Sequence, residues 1–298
     1  MADGRSRAAG YLAAVCFVGI WGAWVVWTRR AVTHSLDPAA LGILRFGVAA
    51  VLLFPFAWRA GFLARGQILP LVIMVVGSGA PFFILVANGM RFAPAADAAS
   101  LVPGTMPLVV ALLSAVFFKE RMGWPRWLGF ACVAVGIVAI GGRDLLIPHG
   151  ATLGHAMLLA GACLWATYTL AFRKSGLTAI EAAALVGFWS TVVLLPFGVA
   201  PLVEAVRGGL GRDVAVQALV QGLLSGVIAI IAFNSAIASL GPSRAAAFVA
   251  LVPALAALIA IPVLAEWPDI PSIIGVVATG VGVTLASGAL ESRQPKAG

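Results

Sequence analysis

The chain has 298 residues, 62% of them hydrophobic and 10% charged, against about 45–50% and about 25% in an ordinary soluble domain. A soluble sphere of this size has no way to hide so much apolar surface under so few charges, which excludes a soluble enzyme, a nucleic-acid-binding domain and a disordered tail. The net charge of +8 comes from 19 Lys and Arg set between apolar runs, the pattern of loops on a membrane protein rather than of a nucleic-acid partner.

A helix that crosses a bilayer needs about 20 mostly apolar residues. Ten segments meet that length: 9–28, 38–58, 68–90, 95–118, 124–142, 152–172, 179–200, 215–240, 244–265 and 270–290. The first follows Arg5 and Arg7 like a signal peptide. It runs on through Trp21, Trp24 and Trp27 to Arg29-Arg30 without a small-residue cleavage site, and reads as a retained helix. Asp37-Pro38 opens the second span, Trp124-Pro125 opens the fifth, and Gly241-Pro242 separates the eighth from the ninth. In the third, Ser78-Gly79-Ala80-Pro81 predicts a kink. Outer-membrane strands alternate apolar and polar residues; these runs are apolar on every side, so the fold class is all-α. Cys16, Cys132 and Cys163 sit inside apolar runs and read as packing residues. Twelve Lys or Arg flank the spans on the side of the N-terminus and six on the other, which predicts cytoplasmic termini.

The chain is written twice. Asn88, Pro107, Glu120, Pro125, Gly129 and Gly136 recur 146 positions later as Asn234, Pro253, Glu266, Pro271, Gly275 and Gly282. Ile20-Trp21-Gly22-Ala23-Trp24 faces Leu164-Trp165-Ala166-Thr167-Tyr168 at an offset of 144, and Pro55-Phe56 faces Pro196-Phe197 at 141. Residues 9–145 and 152–290 are therefore two copies of a five-helix unit. A unit with an odd number of crossings starts its second copy on the opposite face, so the halves are inverted. Inverted repeats are the architecture of alternating-access transporters, in which the halves exchange conformations around a central site.

The run from Ala98 to Glu120, with Pro107 and Phe118-Lys119-Glu120, resembles the signature helix of the EamA domain. So does Ala245 to Glu266, with Pro253 and Ala265-Glu266, and Leu44-Arg45-Phe46 resembles the arginine commonly found in the second span. Two such domains make the ten-helix members of the drug/metabolite transporter superfamily. The resemblance covers nearly the whole chain and is closest to bacterial inner-membrane exporters of amino acids and related metabolites. The second copy has Val186 or Gly187 where Arg45 would recur, so the role of Arg45 is not symmetric.

Arg45 sits eight residues into its span, ~12 Å deep. It is a counter-charge for a substrate carboxylate, or a structural charge that snorkels outward or bonds helix-end carbonyls. Its presence across members with differing substrates favours structure. Glu120 and Glu266 close the fourth and ninth spans, as ion pairs or helix-end bonds in one reading and as proton carriers in the other. Asn88 and Asn234 serve as interhelical bonds or as substrate contacts. Trp21 and Trp165 lie deeper than interface anchors, and Trp24 and Tyr168 follow three residues later on the same faces. With Trp189, and with Ser78, Phe82 and Phe83 at the predicted kink, they are candidates to line a cavity for an aromatic or apolar side chain, between the first, third, fourth, sixth, eighth and ninth spans. The glycine seams of the fifth and tenth spans read as scaffold.

No P-loop and no metal-ligand spacing appears, so neither cofactor nor metal is expected. None of the 11 acids falls mid-span, and His34, His149 and His155 fall in loops or at a span entrance. These features point to a secondary transporter of small zwitterionic or neutral metabolites, amino acids foremost. Other cargo, such as nucleosides, sugars or xenobiotics, is the alternative, and an intramembrane lipid enzyme the more distant one. The expected partners are a small-molecule substrate and the lipid bilayer. Nothing in the sequence marks an oligomeric state.

Overall fold

The computed structural model describes residues 2–118, 123–146, 151–240 and 248–286, and among these every regular element is helical. Helix α1 (Ala2–His34) runs for 33 residues. Asp37 caps α2 (Pro38–Leu52) by accepting the Ala39 N–H at 2.8 Å, and Pro38 supplies a first turn with no donor to waste. At Leu53 the chain bends by 70° into α3 (Phe54–Ala60), because Pro55 cannot donate the bond that would continue α2. The second predicted span is thus a bent pair. A 3₁₀ turn at Ala64–Gly66 leads to α4 (Ile68–Ser78) and α5 (Ala80–Phe92).

The predicted kink in the third apolar run is a break at Gly79, whose backbone (φ −95°, ψ −142°) leaves the helical region. The Ser190 hydroxyl accepts the freed Ala80 N–H at 3.0 Å. Any side chain at Gly79 would collide with that hydroxyl, so glycine is required there. Helices α6 (Ala95–Phe118), α7 (Trp124–Leu146) and α8 (Ala151–Ser175) follow. A reciprocal Thr178–Glu181 capping box starts α9 (Ala179–Arg207), which stays one helix through Pro196 and Pro201. Helix α10 (Gly211–Gln217) continues through a π-helical stretch, Ala218–Ile228, into α11 (Ala229–Leu240). Helix α12 (Val252–Leu264) ends at Ala265 in a left-handed conformation, and α13 (Ile270–Ala286) starts where Asp269 accepts the Ser272 N–H at 2.9 Å. Among the described residues five helical runs are long and apolar enough to cross a membrane, or six with the bent pair, and three shorter apolar helices join them.

Packing pairs elements across the two halves of the chain. Along α2 and α9, Gly42 meets Leu194, Gly47 meets Thr191 and Ala50 meets Gly187. Along α7 and α13, Val133 meets Gly282, Gly136 meets Thr279 and Ile140 meets Gly275. In both pairs one number rises as the other falls, so each helix runs antiparallel to its sequence counterpart. Helix α1 lies antiparallel along α10–α11, with Gly10 beside Leu240, Phe17 beside Phe233 and Trp24 beside Gln221. Helix α8 lies in the same way along α4–α5, with Gly161 beside Val86 and Tyr168 beside Gly77. The first helix of each half therefore rests on the third helical run of the other.

Phe83, Leu41, Met74 and Leu101 are fully buried between these layers, while Leu12, Val51, Trp124 and Ile270 stand exposed on the outside. Large apolar side chains on an outer surface suit hydrocarbon rather than water. Cys132 is half-buried, but Cys16 and Cys163 lie on exposed helix faces, so the packing role expected of all three fails for two. Every fourth residue of a helix faces the same way, and these two fall on the outward side.

The glycine seams set a stability test. A β-carbon on Gly282 would come within 2.6 Å of the Gly129 carbonyl oxygen, whereas none around Gly19 meets anything within 4 Å. Gly282→Val is expected to cost about 1–3 kcal/mol through overpacking. Gly19→Ala is expected to be neutral or to stabilise by up to about 1 kcal/mol. Thermal unfolding of the detergent-solubilised protein measures both.

Candidate functional site

The middle of the molecule holds a polar network that joins α1, α2 and the π stretch. The Trp24 indole Nε1 donates to Gln221 Oε1 at 2.7 Å. Gln221 Nε2 donates to Thr28 Oγ1 at 2.8 Å and to Gln217 Oε1 at 3.3 Å, and Gln217 Nε2 donates to the Trp27 carbonyl at 3.0 Å. Arg45 donates from Nη1 to Ser225 Oγ at 3.0 Å and, at 3.4 Å, to Gln221 Oε1. Its Cζ lies 4.9 Å from the Trp24 ring, 5.5 Å from Phe83 and 5.8 Å from Phe46. Arg45 thus points into the protein rather than snorkelling outward. Among the described residues it has aromatic and neutral polar neighbours but no carboxylate within ion-pair distance. Gln217, Gln221 and Ser225 are spaced by four, on the face turned toward α1 and α2. The π geometry coincides with this cluster, and such widened turns are frequent at functional sites.

The aromatic side chains meet at the same level. Trp21 stacks on Trp165 at 4.7 Å and 24°, Trp24 lies 5.7 Å from Trp21, and Phe82 lies 5.8 Å from Trp165. Phe17 extends the cluster to Phe233. These rings meet one another between the halves, where the sequence predicts a cavity. Phe83 turns instead onto Phe46 and Arg45. Tyr168 leaves the cluster to stack on Phe172 at 6.1 Å, because its own β-carbon is pressed against Gly77. Trp189 also stands apart, donating its indole N–H to the Phe62 carbonyl at 2.8 Å. Ser78 ends α4 beside the break, but the hydroxyl that serves the break belongs to Ser190.

Asn88 bonds its own helix, donating to the Ile84 carbonyl at 2.8 Å and accepting from Arg91 at 3.4 Å. It lines a cleft of about 640 Å³ between α2, α5 and α9, edged by Val193 and the exposed Phe197, away from the aromatic cluster. Asn234 lies in α11, with its side chain outside the described residues, and Glu120 lies outside them altogether.

A second polar cluster sits at the distal end, where α1 finishes and α6 and α8 begin. Glu266 pairs with Arg29 at 2.8 Å, and its other oxygen accepts the Ala95 N–H at 2.9 Å, capping α6. Arg29 also donates to the Met90 carbonyl and Arg30 to that of Val263. Beside them a cavity of about 420 Å³ opens among α6, α7, α8, α12 and α13, lined by Asp97, His155, Glu266, Trp267, Asp269 and Ser272. Asp97 Oδ2 and His155 Nε2 are 2.9 Å apart, and the Ser272 hydroxyl donates to Asp97 Oδ1 at 2.7 Å. His155, expected in a loop or at a span entrance, is buried one turn into α8 and bonded to an acid 58 residues away in sequence. Asp97 drew no attention in a search for mid-span acids, because it lies in the first turn of its helix. Gln217, Gln221, Ser225, Ser190 and Ser272 were missed as well. The four-residue spacing of Gln217, Gln221 and Ser225 within one apolar run was the available signal.

Comparison with known proteins agrees with this architecture. The profile of the EamA-like transporter family matches twice, over residues 8–142 and 152–288. The chain belongs to the EamA-like transporter family. It is 30% identical over 243 residues to a probable terminal-alkyne amino-acid exporter of Streptantibioticus cattleyicolor, covering 80% of each chain. It is also 30% identical over 203 residues to a probable amino-acid metabolite efflux pump of Escherichia coli, covering 66% of this chain and 65% of that one. A crystal structure with 21% identity aligns with a TM-score of 0.54 over 97% of this chain and 100% of its own, a likeness of fold alone. This family member is thus an all-helical, multi-pass membrane transporter with two EamA repeats.

The network predicts unequal costs. Trp24→Phe keeps a ring but leaves Gln221 Oε1 without its closest donor, and is expected to destabilise the transporter by about 1–3 kcal/mol. Asn88→Ala removes an amide that bonds only its own helix, and is expected to change stability by less than about 0.6 kcal/mol. Thermal unfolding in detergent compares them.

Proposed function

We propose that this transporter exports small amino acids, those with aromatic or hydrophobic side chains in particular, across the bacterial inner membrane by alternating access. The observation that carries the reading is Arg45: a guanidinium inside the protein, flanked by rings, without a carboxylate partner among the described residues. A cation held away from water is costly until an anion reaches it, and a substrate carboxylate meets that need with the paired geometry a guanidinium favours. The indole and phenyl faces of Trp21, Trp24, Trp165 and Phe82 supply apolar contact for the side chain and a quadrupole for the ammonium group. The names of the two relatives, a probable terminal-alkyne amino-acid exporter and a probable amino-acid metabolite efflux pump, support a substrate of this class.

In this reading residues 9–145 and 152–290 are five-helix repeats, ten spans in all, inverted about an axis in the membrane plane. The antiparallel pairing of α2 with α9 and of α7 with α13 supports the inversion. The excess of basic residues on the side of the N-terminus supports cytoplasmic termini. The stacked Trp21–Trp165 pair is then the closed centre, and rocking of the halves parts it to admit substrate from one side at a time. The activity is carriage and not catalysis.

Proteoliposomes loaded with labelled phenylalanine, leucine, threonine, uridine and glucose test the proposal. Efflux of the hydrophobic amino acids is expected to exceed that from empty liposomes at least about tenfold, a difference of about 1.4 kcal/mol in barrier. Acceleration of uridine or glucose alone, or of nothing, overturns it. Arg45→Met is expected to lower amino-acid efflux about 100-fold. Trp21→Ala and Trp165→Ala are each expected to lower it about tenfold in protein that still elutes as a single species. Undiminished efflux in both tryptophan variants removes the rings from the substrate path.

A further inference from the structure

The distal cluster takes no part in the substrate path above, yet it contains an acid–imidazole contact that joins the two halves. Asp97 belongs to the first half; His155 and Ser272 belong to the second. Asp97, His155 and Ser272 are 5%, 6% and 7% exposed, respectively, and all three line the distal cavity of about 420 Å³. The carboxylate of Asp97 bridges them, one oxygen to the imidazole and the other to the hydroxyl. Ser272 also donates its N–H to Asp269. A single serine therefore holds two carboxylates, one through its hydroxyl and one through its backbone.

We propose that Asp97 and His155 form a proton-binding site whose occupancy closes the distal end of the transporter. The proposal rests on the alternating-access reading but not on the cargo. With a neutral imidazole, the buried Asp97 carboxylate is met only by the neutral donors His155 and Ser272, so its charge is uncompensated among the described residues and α6 is held weakly to α8 and α13. A proton on His155 sets a positive charge against the Asp97 carboxylate and turns an ion–neutral hydrogen bond into an ion pair, which draws α6 and α8 together. Imidazole is the side chain whose ordinary titration falls in the range a cell imposes on its membranes.

The surrounding charges do not perform this task. Glu266 is neutralised by Arg29 from α1. Arg91 of α5 is engaged by the Val32 carbonyl and by Asn88. Helices α4 and α12 carry no titratable residue. The side chains of Arg143 and Asp144, at the end of α7, and His149 lie outside the described residues. The counterparts of His155 and Asp97 at the repeat offsets of 144 and 146 are Tyr11 and Ser243, neither an imidazole nor a carboxylate. The repeat therefore does not carry this acid–imidazole pair to the matching positions of the other copy.

The experiment measures the distance between spin labels at Leu153→Cys on α8 and Ile270→Cys on α13, both exposed positions, with Cys16, Cys132 and Cys163 replaced by alanine and the protein in lipid nanodiscs. Lowering the pH from about 8 to about 5 is expected to shorten the mean separation by at least about 2 Å. In His155→Gln, whose amide still donates to Asp97 but takes up no proton, the distance is expected not to move. Asp97→Asn gives the same expectation, should the glutamine variant fail to fold. A wild-type distance that ignores pH overturns the proposal, and so does a shift that survives in either variant. Because no substrate is present, failure of the amino-acid reading leaves this result unaffected.

Discussion

A polar group carried into hydrocarbon cannot fall back on water, and that constraint organises this molecule. Each half contributes polar side chains that cannot be satisfied within their own helix, and the partner lies in the other half. Gln221 reaches Trp24 and Thr28, Ser190 reaches the open turn at Ala80, Glu266 reaches Arg29 and Ala95, and Asp97 reaches His155 and Ser272. The apolar contacts alone have little preference for one register, since lipid tails are as apolar as leucine. The bonds between halves fix which depth of one half meets which depth of the other.

Duplication supplies the frame and divergence supplies the function. The break at Gly79 and the π stretch around Ser225 occupy corresponding positions, 146 residues apart. Both depart from regular α-helix, and each is met by a polar side chain from the neighbouring helix. On one side that side chain is Ser190, bonded to the Ala80 N–H; on the other it is Arg45, bonded to Ser225. A neutral hydroxyl and a cation thus play related parts in the two halves. The first completes a helix end, and the second leaves a charge without a counter-ion among the described residues.

The helical fold, the duplication and the glycine seams were legible because they are periodic. Gly129, Gly136, Gly275 and Gly282 recur at a fixed spacing, and close approach follows from the missing side chain. The matched positions of Trp21 and Trp165 on the first helix of each half were legible for the same reason, but spacing predicted rings lining a cavity and not rings stacked on each other. Tyr168 and Trp189 were not separable from the cluster by spacing, because their partners, Phe172 and the Phe62 carbonyl, are chosen by local crowding at Gly77 and by a loop. The Asp97–His155–Ser272 cluster was invisible in the sequence. Its members come from three helices, and none falls at the mid-span depth where a buried charge draws attention.

The central ring stack and the distal ionic cluster differ in how they respond to a shift of the helices. Ring stacking is non-directional enough to be broken and remade when helices tilt, and a substrate side chain that replaces an indole face restores most of the lost contact. Charged hydrogen bonds are steeper in distance and angle, so a cluster such as that around Asp97 and Glu266 is either made or broken. A soft contact at the centre suits a site that must accept cargo; a steep one at the end suits a gate that must be open or shut. The stacked rings lie beside Arg45 where helices of the two halves meet, the paired acids and bases lie near helix ends, and the placement follows from what each interaction tolerates.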